Sequence, residues 1–309
     1  MPFISSFFFS APDGLRLHAL AAGPRDGERL PVICLPGLAR TAEDFRELIQ
    51  ALATPGSIPG SSPGTGATAA PRRVIALDSR GRGLSEHDPN PANYSVPVEL
   101  GDVLAMLDAT GTGRAVFVGT SRGGILTMAM GAARPRAVAG AVLNDIGPVI
   151  EMAGLLRIKN YVGRLPTPGS YEEAAGLLRA VMGAQFPAFD AAAWDLMARR
   201  TWFASDRRDG NGAGLEPRYD RAVAIPLAAI DPAEPLPPLW AQFDALASAP
   251  LLVIRGEHSD ILSRATLAAM RKRRRDLDVV EVAGQGHAPL LVDAATLGPI
   301  KAFVERCDG

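Results

Sequence analysis

Apolar runs that alternate with amphipathic ones constrain this chain more than any other feature. From Pro31 the order is PVICL, the helix-like TAEDFRELIQAL, RVIAL, the helix-like VPVELGDVLAMLDAT, AVFVG and the helix-like RGGILTMAMGAA. Short β-prone runs separated by helix-length segments predict parallel strands covered on both faces by crossover helices. Another run, AVAGAVLND, follows, and after a long interruption the pattern resumes with PLLVIRG, SRATLAAMRKR, DVVEVAG and a last helix through AATLGPIKAFVERC. Ahead of all these, FFFSAPDGLRLHALAAG reads as two strands joined at Asp13-Gly14, a dipeptide that favours a tight antiparallel turn. The expected fold class is α/β, a mostly parallel sheet with helices on both faces and an inserted, mainly helical segment. Residues 1–145 and 246–309 form the two parts of the core and 146–245 the insertion.

The 309 residues carry 47 % hydrophobic and 21 % charged side chains with a net charge of −1. Such a balance speaks against disorder and against an extended basic or acidic binding face. The one basic cluster, RKRRR at Arg271–Arg275, ends a predicted helix, where cations suit the dipole and project into water. No nucleic-acid partner is expected. Two cysteines, Cys34 and Cys307, form no disulfide framework,. The opening MPFISSFFFSAPDG lacks a basic n-region, and no segment approaches a membrane span. The expectation is therefore a soluble, unexported, cytoplasmic protein; no oligomeric state is assigned. TPGSIPGSSPGTGATAAP, Thr54 to Pro71, reads as a mobile surface loop.

VFVGTSRGGILTMAM, Val116 to Met130, sets Ser121 between Gly119 and Gly123 in a G-x-S-x-G pattern. Chance alone gives ~0.2 such matches in this composition, and Gly60-Ser-Ser62-Pro-Gly64 is a second one inside the loop. Context separates the two: only Ser121 follows a strand-like run and precedes a helix-like one, the setting of a strained nucleophile elbow. The glycines either side relieve the crowding of that turn. A plain helix N-cap is the competing reading, though it explains neither glycine.

A serine attacks only when a base takes its proton, and the chain has four histidines: His18, His87, His258 and His287,. His18 lies in the first hairpin and reads as structural; His87 and His258 read as surface or packing residues. The base needs a carboxylate behind it, and RGEHSDIL offers Asp260 just past PLLVIRG. The residue after the nucleophile, Arg122, supplies one backbone N–H for a developing oxyanion. In DSRGRGLS, Asp78 to Ser85, Asp78 and Arg80 are expected to pin a strand-end turn.

VGTSRGG, together with LPGLAR (Leu35 to Arg40) and DSRGRGLS, resembles the α/β-hydrolase family across nearly the whole chain outside the insertion. The resemblance implies that His287, in the GQGHAP loop after the last strand, is the catalytic histidine. It implies that Leu38 gives the second oxyanion N–H, although relatives carry His-Gly where this chain has Pro36-Gly37. The order Ser121, Asp260, His287 is the one expected for the fold; Asp145, in LNDIGP, is the alternative acid because some relatives place the carboxylate there, and Glu257 is a weaker third candidate. The insertion corresponds to a cap, whose Met152, Leu155, Tyr161, Phe186, Phe189, Trp202 and Phe203 serve pocket or packing. The implied activity is hydrolysis of carboxylic esters of small, fairly hydrophobic molecules through an acyl-enzyme on Ser121.

Lactones and the C–C bonds of cleaved-ring diketones stay open as alternatives with the same triad, as does a non-catalytic ligand receptor on the same fold. Epoxide hydrolases and dehalogenases usually carry Asp where Ser121 stands. A dinucleotide enzyme is disfavoured, since GTSRGG lacks G-x-G-x-x-G spacing and no Tyr-x-x-x-Lys occurs. No cofactor is implied, and no His-Glu-x-x-His or cysteine cluster implies a metal.

Overall fold

The apolar runs of the central strands find cover on both faces. The computed structural model describes residues 3–54, 70–204 and 214–308. The loop expected at Thr54 to Pro71, with its second G-x-S-x-G match, lies largely outside them. The strands are β1 (Ser5–Ser10), β2 (Arg16–Ala22), β3 (Val32–Leu35), β4 (Val74–Asp78), β5 (Ala115–Thr120), β6 (Val138–Asn144), β7 (Trp202–Ala204), β8 (Leu215–Pro217), β9 (Leu251–Gly256) and β10 (Asp278–Val282). The helices are α1 (Arg46–Ala53), α2 (Val96–Thr110), α3 (Arg122–Ala133), α4 (Met152–Tyr161), α5 (Tyr171–Met182), α6 (Ala191–Thr201), α7 (Ala224–Ala228), α8 (Trp240–Asp244), α9 (Arg264–Arg273) and α10 (Ala294–Arg306).

Eight strands make one sheet in the order β1-β2-β4-β3-β5-β6-β9-β10. The β1–β2 and β2–β4 pairs are antiparallel and the rest parallel. Alternate residues of one strand feed opposite cores. Ile33, Leu35, Ile75, Phe117 and Leu143 meet Val103 and Met106 of α2, Leu126 of α3 and Met270 of α9. Val32, Cys34, Val74, Val118 and Val142 meet Leu48 and Leu52 of α1 and Ile300 and Phe303 of α10. This two-sided burial is why the runs are continuously apolar rather than alternating. Polar caps fix several helix starts: Ser170, Asp190, Ser263 and Asp293 each accept a backbone N–H from α5, α6, α9 and α10 respectively,.

Strand order reverses at β3, whose neighbours are β4 on one side and β5 on the other. A crevice opens at the carboxyl ends of strands at such a point, the usual place for a ligand in an open α/β sheet. The loop after β3 and the turn after β5 both emerge there. Between β6 and β9 lie α4 to α8 and a short antiparallel β7–β8 pair that the sequence pattern did not predict. Phe186, Trp194, Met197 and Trp202 form a separate apolar cluster in this stretch. Among the described residues no helix is long and apolar enough to cross a membrane.

The basic cluster departs from expectation at one residue. Arg274 turns inward, and its guanidinium donates to the carbonyls of Leu246 and Ala249 and to Asp276. Just past the end of α9 it therefore ties two loops together instead of projecting into water.

Candidate active site

Ser121 joins β5 to α3 with φ 52° and ψ −113°. Among the described residues, only Ser121 and Asp145 have positive φ without being glycine. A β-prone strand running into a helix with no linker forces that strained backbone, at a cost of roughly 1–3 kcal/mol held by the surrounding sheet. The glycines are required by close contacts. A Cβ on Gly119 would lie 2.3 Å from the Gly123 carbonyl oxygen, and one on Gly123 would lie 1.9 Å from the Leu35 carbonyl oxygen. The N-cap alternative fails, since the Ser121 side chain makes no capping hydrogen bond to α3.

Its hydroxyl turns instead to His287, with Oγ 2.8 Å from Nε2. His287 sits in the loop between β10 and α10, buried, and Gln185 Oε1 accepts its backbone N–H at 2.9 Å. Nδ1 lies 2.8 Å from Asp145 Oδ2. A carboxylate can only accept, so Nδ1 carries the ring proton and Nε2 is left to accept from the serine hydroxyl. Asp145 is fully buried at the end of β6, where it also accepts from the Gly256 N–H at 2.8 Å and the Ser259 hydroxyl at 2.7 Å.

The structure departs from the acid expected at position 260, since Asp145 and not Asp260 reaches His287. Asp260 takes a two-pronged hydrogen bond from Arg157 of α4, at 2.6 and 2.8 Å, and makes none to His287. The physical reason lies in the strand ends. Thr120 pairs with Asn144 across β5 and β6, so Ser121 and Asp145 leave neighbouring strands side by side. Asp260 lies four residues past the end of β9, far enough for a cation from α4 to capture it. Glu257 instead accepts from the Gly284 N–H.

The other histidines stand apart from this relay. His18 is buried with Nδ1 2.7 Å from Asp78 and Nε2 2.6 Å from the Ser6 hydroxyl. His87 and His258 are exposed, each 3.8 Å from a carboxylate, Asp220 and Glu257 respectively. Among the described residues no group of three His, Cys, Asp or Glu side chains is arranged to hold a metal ion.

The turn at DSRGRGLS braces the crevice as a framework. Asp78 accepts from the backbone of Ala42 and Leu84, and Arg80 is buried among Asp13, Asp88 and Asp102. Sequence reasoning missed the part played by Arg82. Its guanidinium donates to the Leu38 carbonyl at 2.8 Å and to Glu99 at 2.8 Å, and Glu99 also accepts from the Arg122 side chain at 2.8 Å. Burial alone would push the Glu99 carboxyl up, but the two guanidiniums override it and hold the group below its ordinary value,. No acceptor among the described residues takes the backbone N–H of Leu38 or Arg122.

Ser121 opens onto two cavities. One, of about 120 Å³, is lined by His287, Arg40, Tyr161, Thr201 and Tyr219 with apolar neighbours. The other, of about 380 Å³, is lined by Arg122 and a run of aliphatic residues that includes Ile125, Ile150, Leu155 and Leu227. Of the aromatic residues expected to serve pocket or packing, Tyr161 and Phe186 reach the first cavity. Trp202 packs in the separate cluster with Phe189 against it, and Phe203 is exposed.

A doubly covered sheet that presents a serine, an imidazole and a carboxylate in hydrogen-bond sequence at its carboxyl end defines a class. The chain belongs to the α/β hydrolase fold family, whose model matches residues 31–294. As a hydrolase of that family it has relatives along most of its length. It is 30 % identical over 275 residues to 3-hydroxybutyrate-oligomer hydrolase of Cupriavidus necator, covering 88 % of this chain and 87 % of that one. It is 28 % identical to 2-(acetamidomethylene)succinate hydrolase of Mesorhizobium japonicum, over 69 % of this chain and 71 % of that one. Among solved structures, an alpha/beta hydrolase from Novosphingobium aromaticivorans superposes with a TM-score of 0.86 at 37 % identity, covering 99 % of both chains.

Proposed function

We propose that the protein is a serine hydrolase of carboxylic esters of small, fairly hydrophobic molecules. The observation that carries this reading is the unbroken relay from Ser121 Oγ to His287 Nε2 and from His287 Nδ1 to Asp145, 2.8 Å at each step. In acylation, His287 takes the hydroxyl proton as Oγ bonds to the ester carbon, then gives that proton to the departing alkoxide as the C–O bond breaks. In deacylation, water loses a proton to Nε2, its oxygen adds to the acyl carbon, and Ser121 leaves with the proton. Asp145 holds the imidazole in the required tautomer and stabilises the imidazolium. The N–H groups of Leu38 and Arg122 receive the oxyanion, each donor of this kind contributing about 10²–10³ in rate.

The described residues of the 146–245 insertion act as a cap over the strand ends, supplying Leu155, Ile158 and Tyr161 to the cavity walls. The name of the relative from Cupriavidus necator supports esters as the substrate, because hydroxy acids oligomerise through ester bonds. Hydrolysis of p-nitrophenyl acetate and butyrate by wild type and by Ser121→Ala tests the reading. Wild type should turn over both, with kcat falling at least 10³-fold in the variant; equal rates in the two proteins would remove Ser121 as nucleophile.

A further inference from the structure

The two cavities at Ser121 are unequal in size and chemistry, and their walls contain different parts of the relay. Ser121, Leu38 and Ile158 line both. His287 lines only the smaller cavity and Arg122 only the larger. Resting on the ester-hydrolase reading above, we infer that the larger cavity seats an extended apolar acyl chain and the smaller one a short, oxygen-bearing alcohol.

The assignment follows from the geometry of attack. A tetrahedral carbon on Ser121 carries the oxyanion, the acyl chain and the leaving alkoxy group. The alkoxy oxygen must lie where His287 Nε2 can protonate it, so the alcohol part continues into the cavity that His287 lines. The oxyanion occupies the direction of the Leu38 and Arg122 N–H groups. The acyl chain is left with the cavity beyond Arg122.

Chemistry agrees with that division. Apart from Ser121, Tyr94 and Arg122, the larger cavity is walled by aliphatic residues and proline. The Tyr94 hydroxyl donates to Asp220, and the Arg122 guanidinium donates to Glu99 and to the Tyr94 carbonyl. The Tyr94 hydroxyl proton is thereby engaged and the Arg122 charge is met by Glu99, which leaves the wall predominantly apolar. At about 380 Å³ it falls within the range that accepts a ligand well beyond an acetyl group,.

The smaller cavity keeps a donor in reserve. Arg40 is committed to Asp44 and to Thr201. Tyr219 accepts the Gly163 N–H at 3.1 Å, and its own hydroxyl proton has no acceptor among the described residues. Burial pushes the phenols of Tyr219 and Tyr161 up, which keeps both protonated. A free O–H in a cavity whose nearby Arg40 is already neutralised suits an uncharged acceptor, an ether or carbonyl oxygen, in the alcohol part.

Two measurements test the assignment. The first compares kcat/KM for p-nitrophenyl acetate, butyrate, hexanoate and octanoate in wild type, Ile150→Trp and Leu155→Trp. Octanoate should exceed acetate at least tenfold in wild type, about the least that one well-seated methylene provides, and that ratio should collapse in both variants. The second compares 2-methoxyethyl octanoate with n-butyl octanoate, alcohols of equal length that differ by one oxygen. Wild type should prefer the ether about fivefold, the worth of one hydrogen bond, and Tyr219→Phe should lose the preference.

Acetate equal to or better than octanoate in wild type would overturn the acyl assignment while leaving ester hydrolysis intact. Equal use of the two alcohols in wild type, or a preference retained in Tyr219→Phe, would overturn the alcohol assignment. Failure of every ester in wild type, with no labelling of Ser121 by a fluorophosphonate, would overturn the hydrolase reading and this inference with it.

Discussion

A carboxylate can orient an imidazole only from within hydrogen-bond reach of its second nitrogen, and that criterion separates Asp145 from Asp260. Asp145 meets His287 at 2.8 Å with no exposure, whereas Asp260 is a quarter exposed and held by Arg157. Asp145→Asn should therefore lower kcat on p-nitrophenyl butyrate by about 10⁴, through loss of the tautomer that Nδ1–H donation enforces. Asp260→Asn should leave kcat within tenfold. The reverse ranking would return the acid to position 260. Both carboxylates were legible in the sequence, Asp145 directly after a strand and Asp260 four residues past one. The sequence did not reveal that Arg157, 103 positions earlier, comes within 2.6 Å of Asp260, nor that Ser259 turns its hydroxyl to Asp145. Side-chain partners that distant depend on how α4 settles over the strand ends, and no local pattern encodes it.

Elements were read more readily than contacts. The central strands from PVICL to PLLVIRG announce themselves because two-sided burial favours apolar residues, the largely uncovered edge strand in DVVEVAG through its valines, and the helices because one face must cover the sheet,. The β7–β8 pair stayed hidden, since three-residue strands carry too little periodicity to register. What joins the elements was hidden too. Glu99 of α2 lies between Arg82 of the DSRGRGLS turn and Arg122 of α3, and Arg82 in turn holds the Leu38 carbonyl. Glu99 and Arg82 are each about 1 % exposed. Replacing the carboxylate leaves a buried guanidinium without its counter-charge, so Glu99→Gln should cost about 3 kcal/mol of stability near neutral pH. The pH dependence has a definite sign. The folded-state value of Glu99 is depressed, so its contribution is fully present above the ordinary glutamate value of about 4.3 and is lost as pH falls through the lower folded value,. Thermal unfolding followed from pH 6 to 3 should show a flatter decline in Glu99→Gln than in wild type. Parallel curves would mean that Glu99 bears no linked proton.

Across the whole molecule, the C-terminal end of the chain is clamped to the amino ends of two central strands, remote from Ser121. Asp308, just past α10, accepts from Arg72 and Arg29 and from the Leu30 N–H. These partners sit immediately before β3 and β4, at the amino ends of the parallel strands, whereas the Ser121 relay lies at their carboxyl ends. Arg72 is about 1 % exposed, but Asp308 is about a fifth exposed, so solvent softens the loss when the pair is broken,. Asp308→Ala should destabilise by about 2 kcal/mol, lowering Tm by about 4 °C, with kcat on p-nitrophenyl butyrate unchanged because nothing at the relay moves. Most of that cost comes from stranding the Arg72 guanidinium, not from losing an attraction. Asp308→Ala combined with Arg72→Met should for that reason be more stable than Asp308→Ala alone, although one more residue has been changed. Calorimetry of wild type, both single variants and the double decides the point: strictly additive losses would mean that the two groups act independently and that no clamp closes the sheet at this end.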